Sequence, residues 1–371
     1  MELMTLDANN QPSKLIEGWD SLIWAERYNT TGDFQLQCGD ISKFMTLLPE
    51  GTRVTLRDSN VPMIVETHQI ERKKNQPAKL IIPGRSFESI LDRRVSIQSV
   101  ASLTGSNNWT VNVKTPSDLA HYIMVYICVD GDVDPKDIFP PSMVQFPTPT
   151  GDIAYLASTG PTKPFDVPRG NLLATVLGLL QTAAPLDVST TPDTPEIKPV
   201  GIRSVRPSGA GTAIAIQLYA GVDRSATVYF DATRDLLDDG TYLFSKVGSG
   251  NVAYGVGEGM AAKMFEGAVE PEGMERRVIL VDASQSGSAD VEVLRHNMSQ
   301  SLAEARETAL FDGSINQDLS PYVFGVDYGL GDIVQVQGDY GLYEKARVTE
   351  YIRSQDATGY KQYPTLTTII D

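Results

Sequence analysis

Two cysteines in 371 residues, Cys38 and Cys128, stand far apart in no metal-like spacing, so the chain has no disulfide framework and reads as carrying two reduced structural thiols. Three histidines, His68, His121 and His296, include no pair close enough to form a helical metal motif, and each reads as a packing or surface residue. No apolar run approaches the roughly 20 residues of a membrane helix, and the opening Met1-Glu2-Leu3-Met4 lacks the basic start of a secretory signal. We therefore expect a protein without a membrane anchor that folds in a cytoplasm. Basic residues are also scarce: 31 Lys and Arg against 47 Asp and Glu give a formal net charge of −16. Such a chain repels phosphate backbones and would need a local basic patch to grip nucleic acid. The densest cluster, Glu71-Arg72-Lys73-Lys74, reads as the solvated tip of a hairpin.

What is present points to β-structure. The hydrophobic share of 41% is ample for packed cores, while 31 glycines and 22 prolines leave few long helical runs. The length suggests two to four domains. Two stretches stand out. Leu22, Trp24 and Glu26 share one side of an extended chain, Asn29 to Gly32 turn, and Phe34 and Leu36 resume the alternation, which is a hairpin. Leu80 to Ile82 then form a strand ending at Pro83-Gly84, after which Ser86 is placed to cap a short helix with Phe87, Ile90 and Leu91 on one face.

From Met1 to about Ser102 short strands are expected at Leu3 to Leu6, Arg53 to Arg57, Met63 to Arg72 and Ala78 to Ile82, with Asp40 capping a helix whose apolar face is Ile41, Phe44, Leu47 and Leu48. This spacing suggests a small antiparallel barrel. Thr115-Pro116-Ser117-Asp118 has the composition of a helix start, followed by Leu119, Tyr122, Ile123, Tyr126 and Ile127 at helical spacing. A second helix follows Asn171, burying Leu172, Leu173, Val176, Leu177 and Leu180, and Pro135 to Pro168 between them reads as an irregular surface excursion. Thr104 to Thr190 is thus a mixed α/β region, and Thr190 to Pro199 a linker. Beyond it, strands are expected at Gly201 to Arg206, Ala213 to Tyr219, Ser225 to Asp231, Thr241 to Lys246, Asn251 to Val256 and Arg277 to Asp282. The longest helix is expected over Val291 to Leu310, with Leu294, Met298, Leu302, Ala305 and Ala309 as its stripe, and strands return at Gly331 to Val336, Lys345 to Arg353 and Tyr363 to Ile370.

Candidate chemistry is thin. In the loop Asp130 to Asp137, Asp130, Asp132 and Asp134 alternate as in a calcium loop, but Pro135 and Pro141 occupy the positions that need glycine and an acid, so the segment reads as a solvated loop. Gly255-Val256-Gly257-Glu258-Gly259 has a misplaced third glycine and an acid where phosphate would sit, and reads as a turn. No nucleophile elbow occurs. Asn29, Asn108 and Asn297 open formal glycosylation triplets that have no meaning without a secretory signal. We assign no catalytic, cofactor-binding or metal-binding residue, expect no cofactor, and do not expect an enzyme.

The run Trp24-Ala25-Glu26-Arg27-Tyr28-Asn29-Thr30-Thr31-Gly32-Asp33-Phe34-Gln35-Leu36, then Gly84-Arg85-Ser86-Phe87-Glu88-Ser89-Ile90-Leu91-Asp92-Arg93-Arg94, resembles the N-terminal part of the siphophage ReqiPepy6 Gp37-like tail proteins. Tyr328-Gly329-Leu330-Gly331-Asp332-Ile333-Val334, Ala346-Arg347-Val348-Thr349-Glu350-Tyr351 and Tyr363-Pro364-Thr365-Leu366 are similar to that family's C-terminal block. No family motif is identified between about residues 104 and 320. The resemblance implies a β-dominated α+β protein of baseplate-hub type, related in layout to the N-terminal module of tail-associated lysins. Residues 1–103 would form a first tube-like β-barrel and 104–195 an α/β middle domain. Residues 196–240 and 313–371 would form a second, split barrel, with 241–312 as an inserted α/β segment bearing the long helix. It further implies a homotrimer of six barrels around a channel at the virion tail tip. A distal tail protein ring or tail tube would lie above, tape measure protein in the lumen, tip or central fibre proteins below, and DNA would pass without specific binding. Some hub relatives continue into a hydrolase domain, for which no room is expected after Asp371.

Two other readings compete. A cell-wall peptidase or glycosidase would need a nucleophile or paired carboxylates. A receptor- or carbohydrate-binding module would use exposed aromatics, for which Trp109, Tyr322 and Tyr340 are the candidates.

Overall fold

The computed structural model of the chain describes residues 1–100, 109–113, 115–149, 163–181, 200–209, 211–231, 234, 236–257, 259–282, 291–305, 308–315, 319–337 and 343–368. Its first block contains strands β1 (Leu3–Leu6), β2 (Pro12–Ile16), β3 (Ser21–Arg27), β4 (Asp33–Cys38), β5 (Arg53–Leu56), β6 (Met63–Val65), β7 (Gln69–Glu71) and β8 (Lys79–Ser86), with helix α1 (Ile41–Leu47) after β4. The expected strand from Met63 to Arg72 is two pieces, both paired with β8. Pairing runs β3-β4-β8-β6-β5-β1-β2. Alternation turns Leu3, Leu22, Trp24, Phe34, Leu36, Val54, Leu80 and Ile82 into one core together with Phe44 and Leu48. A flat face of seven strands would be roughly 30 Å wide, far more than the two turns of α1 could cover, so the sheet curls around its own core. Ser59, just past β5, accordingly donates to Glu26 on β3 (2.7 Å), although three strands separate them in pairing order. Among the described residues no ladder joins β2 to β3, and the curl stays open.

Asp40 caps α1 as expected, accepting from the Lys43 N–H (3.1 Å). Ser86 does not cap. The segment Phe87–Arg93 is a 3-10 helix, and the Ser86 hydroxyl instead accepts from the Gly32 N–H (2.8 Å) and donates to Glu88. The serine is recruited by the hairpin turn across the sheet, a tertiary partner that a local spacing rule does not see.

The middle of the chain supplies β9 (Val95–Ser96), β10 (Trp109–Val113), α2 (Pro116–Val125), β11 (Val144–Gln145), β12 (Lys163–Val167), β13 (Gly170–Asn171), α3 (Leu172–Gln181), β14 (Val200–Val205) and β15 (Ile214–Ala220). Thr115 and Asp118 form the reciprocal capping box at the start of α2, each side chain accepting from the other residue's N–H (3.1 Å both ways). After α2 the backbone widens into a π turn, Tyr126–Asp130, closed by Gly131 in the left-handed region. The Pro135 to Pro168 segment, expected to be irregular, contributes two strands among its described residues, β11 paired parallel with β15 and β12 antiparallel with β10. Leu119, Ile123, Ile127, Leu172 and Val176 share a core with Ile202, Ile214 and Ile216 of β14 and β15, and with Phe87, Ile90 and Leu91 of the first block. The expected linker Thr190 to Pro199 lies outside the described residues.

The last region holds β16 (Tyr229–Asp231), β17 (Leu237–Ser245), β18 (Val252–Gly257), β19 (Met260–Phe265), β20 (Val278–Asp282), α4 (Val291–Glu304), β21 (Thr308–Ile315), β22 (Ile333–Gln337), β23 (Tyr343–Asp356) and β24 (Gly359–Thr368). Strand β23 organises it. One edge pairs with β22 up to Arg347 and, from Glu350, with β3 of the first block, while β24 takes the other edge. The two β-blocks therefore share one twelve-stranded sheet. The reason is local: the hairpin uses only one edge of β3, and the other must be covered. A separate core of Val228, Phe230, Tyr328, Val334, Val348 and Leu366 sits under the C-terminal strands.

β17 and β21 form a two-stranded ribbon, and beyond its end the β19-β18-β20 sheet packs on α4 through Ala253, Leu294, Met298 and Leu302. Helix α4 stops at Glu304, short of the expected Leu310. The Ala305 carbonyl accepts from the Gly250 N–H (2.6 Å), and Thr308 onward pairs with β17, so sheet pairing overrides the helical spacing of Ala305 and Ala309. Gly255 belongs to β18, where a Cβ would stand 2.9 Å from Met298 Cγ. The segment was expected to be a turn, but Gly255 to Gly257 are paired in the strand, and Gly255 makes room for the helix.

Candidate functional site

The motif stretches that lie far apart in sequence meet at one junction, centred on the end of β3. Tyr28 is fully buried there. Its N–H donates to the Thr349 carbonyl (2.9 Å), its carbonyl accepts from the Ile202 N–H (3.1 Å), and its hydroxyl accepts from the Gly221 N–H (3.3 Å). Tyr219 meets the ring edge-on at 5.2 Å, and the Arg347 guanidinium lies over it at 5.6 Å. Gly201 and Gly331 flank the ring, and a Cβ on either would enter it, with the nearest ring carbon of Tyr28 2.5 Å from one on Gly201. One residue thus ties together the first block, the middle strands and the C-terminal block. Burial raises its phenol above the ordinary range, so the ring stays neutral.

Beside it runs an ionic seam. Alternation along β3 puts Glu26 on the Trp24 side, and its Oε1 accepts from Trp24 Nε1 (3.0 Å), Ser59 Oγ (2.7 Å) and Arg353 (2.8 Å). Both members of the Glu26–Arg353 pair have side chains only 7% exposed. On the opposite face Arg27 pairs with Glu350 and with Asp33 (2.5 Å). These are contacts within one chain, and they join its N-terminal and C-terminal strands.

A second joint lies at Glu88. Its carboxyl accepts from the Ser204 N–H (3.1 Å), the Ser204 hydroxyl (2.6 Å) and the Ser86 hydroxyl. Neighbouring Arg85 grips Glu66 (2.8 Å) and Asp92 (2.5 Å), and Arg94 reaches Asp137 and the face of Phe139. A third joint is Asp332, whose carboxylate accepts from the N–H groups of Val222 and Gly329 and from Arg224 Nε (2.7 Å), holding the segment after β15 to the start of β22. These joints fix the relative positions of three packed units.

The other sequence candidates are dispersed. His68 Nε2 meets the Leu48 carbonyl at 2.7 Å and His121 meets that of Phe146, while the His296 side chain is outside the described residues. In the acidic loop Asp134 caps a short 3-10 turn through the Lys136 N–H, and no group of three or more metal-binding side chains occurs among the described residues. Trp109 is not exposed: it is 5% accessible and packed beside Tyr126, because β10 faces the middle core. Tyr322 is half-buried against Phe230, and Tyr340 lies outside the described residues. Cys38 and Cys128 are buried free thiols. No described helix is long and apolar enough to cross a membrane. Of the joint residues, Glu26 was visible in advance as a charge on an apolar face, whereas Arg353 and Ser204 carry no local signal.

The family described as Siphovirus ReqiPepy6 Gp37-like protein matches residues 2–138 and 171–366, which includes most of the region in which no motif was legible. No curated protein sequence matches the chain. Its fold is similar to that of the prophage MuSo2 43 kDa tail protein from Shewanella oneidensis, with TM-score 0.58 and 12% identity over 99% of this chain and 98% of that one. A tail protein from Neisseria meningitidis gives TM-score 0.56 and 11% identity over 99% and 96% of the two chains. Prophage tail protein gp18 from Listeria monocytogenes gives TM-score 0.56 and 9% identity over 100% and 95%. At such identities the likeness is one of fold.

Proposed function

We propose, because the chain belongs to the Siphovirus ReqiPepy6 Gp37-like protein family, that it is the structural hub of a phage tail tip, with three copies forming a ring on the tail axis. The observation that carries this reading is the β3–β23 pairing, which fuses two β-blocks edge to edge within each chain. Three copies would then present six blocks, a pseudo-sixfold ring able to meet a hexameric tail tube or distal tail ring above and a trimeric tip or fibre below. The chain would divide into a first tube-like domain, a middle domain, a split second tube-like domain and an inserted unit, with boundaries near residues 103, 195, 240 and 312; distinct cores under the first block, the C-terminal strands and the inserted unit support this, while the middle core also takes in Phe87 to Leu91 and strands β14 and β15.

The charge fits a conduit. Each copy carries −16, and a lumen of that sign lets DNA slide past because no phosphate can settle on it. Tape measure protein would fill the same lumen before ejection. The reading is of a structural protein, since the buried carboxyls Glu26 and Glu88 serve as ties between units, each bonded to groups of the chain itself.

Light scattering on the purified chain and imaging of assembled tails test the proposal together. The expected results are a threefold mass, or threefold copies on the tail axis, around a lumen with acidic or neutral lining. A monomer found away from the axis, or a channel wall lined by arginine and lysine, would remove it.

A further inference from the structure

Glu88 is buried without a cation. Its carboxyl is enclosed between the 3-10 helix Phe87–Arg93 and β14, and is 2% accessible. Its partners are the two hydroxyls of Ser86 and Ser204, either of which can turn to accept the proton of a neutral acid, and the N–H groups of Ser204 and of Glu88 itself, and among the described residues no lysine, arginine or histidine pairs with it. An isolated ionised carboxylate in such surroundings is costly, and the usual outcome is that it takes up a proton. Burial drives the acid in that direction, opposed by the hydrogen bonds from Ser204, Ser86 and its own N–H.

The nearby charged groups do not relieve it. From β15 comes the Tyr219 phenol, itself held neutral by burial. From β14 comes Arg203, which lies over the Tyr219 ring at 4.3 Å. From β3 comes Glu26, already committed to Arg353, and from β8 comes Arg85, turned to Glu66 and Asp92. Arg206 reaches the Ser59 carbonyl (2.8 Å), and α3, which also packs on this helix, carries no charged residue.

We propose that Glu88 is a proton-dependent latch: in its neutral form it fastens the first β-block to strand β14, and its ionisation loosens that joint. The latch is a property of the single chain and stands whether or not copies form a ring. Its sign follows from linkage. The group binds its proton more tightly folded than unfolded, so its contribution is complete below the unfolded value near 4.3 and is lost as pH rises towards the folded value. Across that window one proton leaves on unfolding, so the unfolding constant rises about tenfold per pH unit.

The test compares the full chain with Glu88→Gln, which keeps the shape of the group and cannot ionise. Urea unfolding between pH 5.5 and 8 should show the wild-type constant climbing by up to about tenfold per unit more steeply than that of the variant. Over the same range, exchange of the Ser204 and Ile202 amides should accelerate more in the wild type than in the variant. An infrared difference spectrum between the two proteins at pH 5.5, the lower end of that range, should show the carbonyl band of a protonated acid in the wild type. Parallel pH profiles, or a carboxylate band in its place, would overturn the latch. The infrared reading decides the matter even if the variant proves poorly stable.

Discussion

The ring of Tyr28 occupies the space into which a side chain on Gly331 would project: a Cβ there would stand 2.6 Å from Tyr28 Cδ2, and the glycine backbone is in the left-handed region at φ +86°. Two penalties therefore coincide at one position. Gly331→Ala should lower unfolding free energy by about 2–4 kcal/mol, combining overpacking with the cost of a left-handed alanine. Urea midpoints check this. Since the clash is with one ring, Tyr28→Ala combined with Gly331→Ala should lose less than the two single changes added together.

Glu26 and Arg353 lie 327 residues apart and form a buried pair. Removing one partner strands the other charge, so Glu26→Gln and Arg353→Met should each cost about 3–5 kcal/mol. The double change Glu26→Leu with Arg353→Met leaves no lone charge and should recover a large part of that loss. A double-mutant cycle measures the coupling, and simple additivity would mean the pair does not act as a unit.

The inserted unit can be excised. Ser245 and Thr308 face each other at the end of the β17–β21 ribbon, and the unit beyond has its own core. Replacing residues 246–307 with an Asn-Gly turn suits a two-residue hairpin connection. The shortened chain should stay folded with the β3–β23 pairing intact, checked by amide exchange at Arg27 and Glu350. Global unfolding would show that the unit is needed by the rest.

Both thiols should be silent in the native protein. Burial pushes Cys38 up to about 11 and Cys128 to about 12. At pH 8 iodoacetamide should label neither until the chain is unfolded, when both react. The same shifts predict an alkaline weakness. A thiol kept neutral by folding contributes stability that is whole below about 8.5 and is lost as pH rises towards the folded values. Thermal unfolding should thus move to lower temperature above pH 9.

Much of this architecture was legible in the sequence wherever its signal was short-range. Period-two alternation gave the Leu22 to Leu36 hairpin, whose observed register sets Trp24 opposite Phe34, and Thr115-Pro116-Ser117-Asp118 gave the capping box of α2. Where a distant strand competes, local reading failed. Ala305 and Ala309 continue a helical stripe, yet β17 claims Thr308–Ile315, and Ser86 looks like a cap although the hairpin turn takes its hydroxyl. The junction was half visible. Tyr28, Glu88 and Gly331 stand inside motif stretches, but Tyr28 meets Gly331 and Glu88 meets Ser204 only through pairings between distant strands, which neither spacing nor propensity encodes.

The position of β3 also bears on how the protein is made. Its second neighbour in the sheet, β23, does not begin until Tyr343. At synthesis rates of about 5–20 residues per second, on the order of 15 to 65 s pass between the emergence of Glu26 and that of Arg353. For that interval the first block has an unpaired strand edge bearing the side chain of an unmatched acid. An edge of this kind invites pairing with another nascent chain. A strand made more than 300 residues later is thus the one that makes the first block safe, and a message truncated before β23 should yield aggregates in place of a soluble shortened domain.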